Sequence, residues 1–209
     1  MSIYAILNGV VKVTAYLPQR IVFNIKTYYE NKTRQSRRID GPAIIICNHH
    51  TVYDYAGLIF LFPGRTLRVQ MAEVLFEKKL LGVFLKAMGG IFVNRKANDY
   101  SFVDASTEIL RKGGVVGIFP ESRIPLPDEE KPLPFAPSAA YIALSTGVKV
   151  IPVFSNGKYF TRERARMVIG EPMCASDYVD ESLTDKENIA RVTEVFRNKI
   201  IELGKLIDE

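Results

Sequence analysis

Both histidines of the chain stand side by side in the run Cys47-Asn48-His49-His50-Thr51-Val52-Tyr53-Asp54. A carboxylate, Asp54, follows His49 by five residues and His50 by four. A carboxylate bonded to one ring nitrogen fixes the tautomer and stabilises the imidazolium. The other nitrogen is then free to take a proton from an attacking hydroxyl. A histidine that merely caps a helix start accounts for the same spacing. Neighbouring side chains on an extended backbone point to opposite sides, so the two rings do not easily share one role. A catalytic zinc needs three protein ligands. Cys47 and His49 could share a strand face, but no second cluster supplies the rest. Cys47 as a nucleophile is disfavoured by the isoleucines before it, because buried thiols are inert.

These residues need elements to hold them. Ala43–Cys47 (AIIIC) is a continuous apolar run, as in a strand buried on both faces. Asp54 to Phe62 has helical character and ends at Pro63-Gly64. Further strands are expected at Leu67–Met71, Ile91–Val93, Val115–Phe119, Val148–Phe154 and Arg166–Ile169. Helices are expected at Glu73–Met88, Tyr100–Lys112 and Ser138–Thr146, with Asn98 or Asp99 as a cap of the second. A long helix from Thr184 places Ile189, Val192, Phe196, Ile200 and Leu203 on one side. This alternation predicts an α/β fold with a mixed, largely parallel sheet flanked by helices. The histidines then follow a buried strand and precede a helix, where such sheets present working residues.

The first residues differ. Ile3, Ile6, Leu7, Val10, Val13 and Leu17 recur with helical spacing, Pro18 interrupts, and a second apolar run begins at Ile21. Asn8, Gly9 and Lys12 leave the stretch short of a comfortable membrane span. A helix packed on the body and a helix lying in a membrane surface both fit it. Lys26, Lys32, Arg34, Arg37 and Arg38 follow, and basic residues beside an amphipathic anchor are drawn to anionic headgroups. The expectation is an N-terminal amphipathic, membrane-facing helical hairpin with its basic segment over residues 1–38 and a catalytic domain over 39–209. Leu75–Met88, with Lys78, Lys79 and Lys86, covers the core or adds to a lipid-facing patch.

The 209 residues suffice for a sizeable core, and 47% are hydrophobic and 24% charged. A net charge of +5 favours acidic partners without choosing among them. The two cysteines form no framework, and no cleavable signal peptide is evident. No aromatic-basic signature supports nucleic acid.

His49-x4-Asp54 resembles the first motif block of the glycerolipid acyltransferases, membrane-associated enzymes that include 1-acylglycerol-3-phosphate acyltransferase. GGIFVNR, Gly89 to Arg95, resembles the second block. FPESR, Phe119 to Arg123, resembles the third, and VIPV, Val150 to Val153, the fourth. The blocks stand in the family's order. The resemblance implies that His49 is the general base toward the acceptor's hydroxyl and that Asp54 orients it. It implies that Arg95 grips the acceptor's phosphate and that Glu121, Ser122 and Arg123 belong to the substrate-binding set. No covalent acyl-enzyme, cofactor or metal is implied. The co-substrate is an acyl thioester, acyl-CoA or acyl carrier protein, and the acceptor a lysophospholipid. The place of work is the cytoplasmic face of a membrane, with peripheral or monotopic attachment to an anionic surface.

There are departures. Asn94 stands where an acidic residue is frequent, Ser122 replaces glycine with one residue fewer before Arg123, and Ala136-Pro137-Ser138 lack the usual lysine and glycine. His50 matches no role. A lipid-surface thioesterase or hydrolase with the same His–Asp pair, and a non-catalytic membrane-binding module, are the competing expectations.

Overall fold

The computed structural model describes residues 3–33, 35–94 and 99–208. The chain begins with helices α1 (Ile3–Thr14) and α2 (Tyr16–Val22), then an edge strand β1 (Lys26–Tyr29). There follow β2 (Ala43–Cys47), α3 (Asp54–Leu61), β3 (Leu67–Ala72), α4 (Glu73–Phe76), α5 (Lys79–Ala87) and β4 (Ile91–Val93). Then come α6 (Ser101–Arg111), β5 (Val115–Ile118), α7 (Ser138–Thr146), β6 (Val150–Ser155), β7 (Arg166–Ile169) and α8 (Asp185–Asp208).

Seven strands form one sheet in the order β1-β7-β6-β2-β5-β3-β4. Every neighbouring pair is parallel except β6 and β7. The expected mixed, largely parallel α/β sheet is therefore present. β2 lies at its centre with all five residues buried, flanked by β5 on one side and β6 on the other. The C-terminal ends of these three strands lie side by side, and their following loops share one end of the sheet. One face is covered by α6, α7 and α8, with Val192, Phe196, Ile200 and Leu203 wholly buried. Leu58 and Leu61 of α3 and Leu85 of α5 close the other face against Ile45, Val69 and Val115. Thr184 and Glu187 start α8 by bonding each other's backbone N–H, a reciprocal cap.

Three expectations change. Glu73–Met88 is two helices rather than one. A side chain at Gly82 would meet the Phe76 carbonyl oxygen at 2.3 Å, so α5 packs against the end of α4 closely enough to admit glycine alone. β1 is an added strand, paired with β7 from Lys26–Arg166 to Tyr29–Ile169, so the sheet reaches back past residue 38. In the basic segment, expected to meet anionic headgroups, two arginines are engaged within the protein. Arg37 donates to the carbonyls of Leu61 and Phe60, and Arg38 pairs with Asp40 at 3.0 Å. Arg34 and the candidate cap Asn98 lie outside the described residues, and Asp99 accepts the N–H of Ser101.

The N-terminal helices are separated by the single residue Ala15. Their contacts proceed along the body, from Met88 and Arg68 near Asn8 and Tyr4 to Tyr53 and Tyr159 around Phe23. α1 docks by its polar side. Asn8 donates to the Met88 carbonyl, and the Lys12 ammonium donates to the carbonyls of Phe62, Pro63 and Arg65. Asn8 is only 1% exposed, whereas Val13 is 78% and Ile21 81% exposed. The apolar stripe therefore faces outward. In α5 the outer residues Leu80, Val83 and Phe84 are exposed as well. No helix among the described residues is long and apolar enough to cross a membrane.

Candidate active site

β2 delivers its last residues to the shared end of the sheet. Asn48 is buried there and clamps two strand ends together: its amide donates to the Ser155 carbonyl, and its Oδ1 accepts the Ser155 N–H at 2.7 Å. His49 follows. Its backbone N–H donates to Glu121 Oε1 at 2.7 Å, and its ring stacks on Phe119 at 4.4 Å between centroids. Nδ1 lies 3.1 Å from Asp54 Oδ2.

Asp54 opens α3, and its carboxylate is wholly buried. Oδ2 accepts the backbone N–H groups of His50 and Thr51, each at 2.7 Å, and Oδ1 accepts the Ser155 hydroxyl at 3.0 Å. Burial alone would raise this carboxyl. The bonds from His49, Thr51 and His50 outweigh it and hold the group below the ordinary carboxylate value. A position in the first helical turn also favours negative charge. An ionised Asp54 makes His49 Nδ1 the N–H donor, an assignment from the partner atom, which leaves Nε2 as the basic nitrogen. The His49 side chain as a whole remains 19% exposed.

The other sequence candidates fall out unequally. Glu121 is buried, and its two oxygens each accept a backbone N–H, from His49 and from Leu133. Burial raises its carboxyl against those two bonds. The carboxylate expected against the acceptor is thus engaged in joining the loop after β5 to His49. Ser122 adopts φ 62°, the left-handed region, which accounts for glycine as the residue resembled at this position. Arg123 forms a two-pronged pair with Glu129, both bonds at 2.6 Å, so the cation next to the site is matched by a carboxylate of the Pro-rich loop. Arg95 lies outside the described residues. β4, which precedes it, ends at Val93 beside Ala72, the last residue of β3.

His50 contributes its backbone N–H to Asp54, while its ring lies edge-on to Phe154 and burial lowers its pKa. Cys47 is fully buried, and burial pushes its thiol well up, which removes it as a nucleophile. Sequence reasoning missed Asn48, Ser155 and Tyr159, whose hydroxyl lies 3.4 Å from Ser155 Oγ. For Asn48 the only available signal was its place before His49.

The sequence pattern of the Acyltransferase family matches residues 24–156, from the turn before β1 to just past Ser155, well over half the chain. The chain belongs to the acyltransferase family. It is 25% identical over 196 residues to a 1-acyl-sn-glycerol-3-phosphate acyltransferase of Bacillus subtilis, covering 91% of this chain and 95% of that protein. It is 28% identical over 127 residues to the human 1-acyl-sn-glycerol-3-phosphate acyltransferase beta, covering 58% of this chain and 45% of that protein. The fold matches the crystal structure of the 1-acyl-sn-glycerophosphate acyltransferase PlsC from Thermotoga maritima, with a TM-score of 0.64 at 20% identity. That match covers 94% of this chain and 78% of the other.

Proposed function

We propose that this acyltransferase moves a fatty acyl chain from an acyl thioester to the free hydroxyl of a lysophosphatidate, at a membrane surface, in phospholipid synthesis. The observation that carries the reading is the His49–Asp54 pair: Nδ1 held at 3.1 Å by a buried carboxylate, on a side chain that stays partly exposed at the C-terminal end of the sheet.

His49 Nε2 removes the proton as the acceptor's oxygen attacks the thioester carbonyl carbon. Asp54 stabilises the imidazolium that forms. The tetrahedral intermediate collapses by breaking the C–S bond, and the imidazolium returns its proton to the departing thiolate. Charge and protons balance, and no acyl-enzyme is needed. The donor, acyl-CoA or acyl carrier protein, supplies the same reacting group in either form. Arg95 is the proposed phosphate ligand, for which a planar guanidinium is suited. Glu121 sets the height of the base through its backbone. Arg123 reaches a phosphate only by exchanging Glu129 for it.

The outward stripe from Ile3 to Ile21 and the outer face of α5 supply the surface that meets lipid, where the lysophospholipid acceptor resides. An acyl-transfer assay on liposomes, with a panel of lysolipids and both donor types, tests the reading. His49→Ala is expected to lower transfer by at least about a thousandfold while liposome binding persists. Full activity in that variant, or free fatty acid released regardless of acceptor, would sink it.

A further inference from the structure

Between α2, the start of β1 and the end of α3 lies a cavity of about 150 Å³ that shares no lining residue with the His49–Asp54 site. Arg20, Arg37 and Arg164 line it, and among the described residues no carboxylate does. Arg37 donates to the carbonyls of Leu61 and Phe60. Arg164 donates to the backbone and side-chain oxygens of Asn24, and Arg20 to the Tyr16 hydroxyl. All of these acceptors are neutral. They hold the guanidiniums in place without cancelling their charge, unlike Arg38 and Arg123, which face Asp40 and Glu129. Like charges gathered round one concavity produce a positive potential that an anion relieves. Asn24, Gln19 and Thr27 add neutral polar groups to the same wall.

The position narrows the anion. Leu17 and Ile21 are exposed on the helix that forms one wall, so the cavity adjoins the apolar stripe. A helix lying in a bilayer surface carries such a flank at the level of the headgroup phosphates. We propose that this cavity binds the phosphate of an anionic phospholipid headgroup, apart from the site of reaction. The proposal rests on the membrane-surface reading above. A guanidinium suits this ligand because it can offer paired N–H donors to phosphate oxygens.

The test uses the full chain and vesicles of phosphatidylcholine with or without phosphatidylglycerol. The double variant Arg20→Gln/Arg164→Gln is compared with Lys186→Gln/Lys205→Gln, which removes equal charge from exposed positions of α8. The unmodified protein is expected to prefer phosphatidylglycerol vesicles by about tenfold. The first variant should lose most of that preference while still binding phosphatidylcholine, and the second should keep it. Equal losses in the two variants would overturn the proposal in favour of diffuse attraction, and an unchanged preference in the first would overturn it outright.

Calorimetry with dihexanoyl phosphatidylglycerol below its micelle concentration, and with inorganic phosphate, separates the sources. The short-chain lipid should bind more tightly. Phosphate binding as well as the lipid would overturn the headgroup assignment. No binding of either would overturn the site, even if neutral vesicles still bind. Failure on both vesicle types with short-chain binding intact would count against the membrane reading and support the site.

Discussion

Glu121 and His49 are joined through backbone: Glu121 Oε1 accepts the His49 N–H at 2.7 Å, while Oε2 accepts the Leu133 N–H at 2.7 Å. A carboxylate in the loop after β5 thereby sets where His49 emerges from β2. Two motif blocks distant in sequence meet in one hydrogen bond, and the stacking of Phe119 on the His49 ring adds a second tie.

Glu121→Gln retains one acceptor oxygen and turns the other into a donor facing an N–H. His49 should then lose its register against the acceptor hydroxyl. Displacement of a reacting group by about 1 Å costs on the order of a hundredfold. The expected result is a kcat lower by about 10- to 100-fold with the acceptor KM nearly unchanged. Steady-state kinetics against a water-dispersed lysophosphatidate decides it. A large rise in KM at constant kcat would instead make Glu121 a ligand of the acceptor.

Asp54→Asn separates charge from shape. The folded carboxyl lies below its ordinary value of 3.8, so the unfolded chain binds more protons in that range and stability rises with pH. The wild type should exceed Asp54→Asn in stability at pH 7. The gap should stay full above about pH 5 and close as pH falls past 3.8 through the lowered folded value. Urea unfolding at pH 7 and near pH 3 measures it. A gap of equal size at both would mean that Asp54 is not ionised in the folded protein. The same variant should lose kcat by about 10³- to 10⁴-fold, because an amide presents His49 with the wrong tautomer.

The sheet was legible because its central strands are short, fully buried runs rich in β-branched residues and bounded by glycine and proline, as in Ala43–Cys47 and Val115–Ile118. The pairing of His49 with Asp54 was legible because a short loop before a helix start leaves few other arrangements. The clamp between Asn48 and Ser155 was not, since 107 residues separate them and no periodicity reports a contact made at two strand ends. β1 was hidden for the same reason: KTYY is short, half-exposed, and a strand only because Arg166–Ile169 lies beside it. The apolar stripe of the first helix could be read from spacing. Which of its faces docks depends on carbonyls at Phe62, Pro63 and Arg65 that only the folded chain presents to Lys12.

That inversion gives α1 two faces with opposite expected responses. Lys12 is buried, and burial lowers its pKa to about 8, yet its ammonium satisfies three carbonyls that end α3 and the following turn. Removing the donor leaves buried acceptors unpaired, a cost of about 1–3 kcal/mol. Lys12→Ala should therefore lower the unfolding midpoint and loosen α1 from the body. Val13, its neighbour in sequence, is 78% exposed and belongs to the outward stripe. Val13→Glu should leave stability within about 0.5 kcal/mol, as for other surface changes. It should weaken liposome binding, because a carboxylate would have to enter the headgroup region or lift the helix from it. Thermal unfolding and vesicle sedimentation on both variants read the two faces separately. If Val13→Glu destabilised the free protein as much as Lys12→Ala, the stripe would be a packing face and not a lipid-facing one.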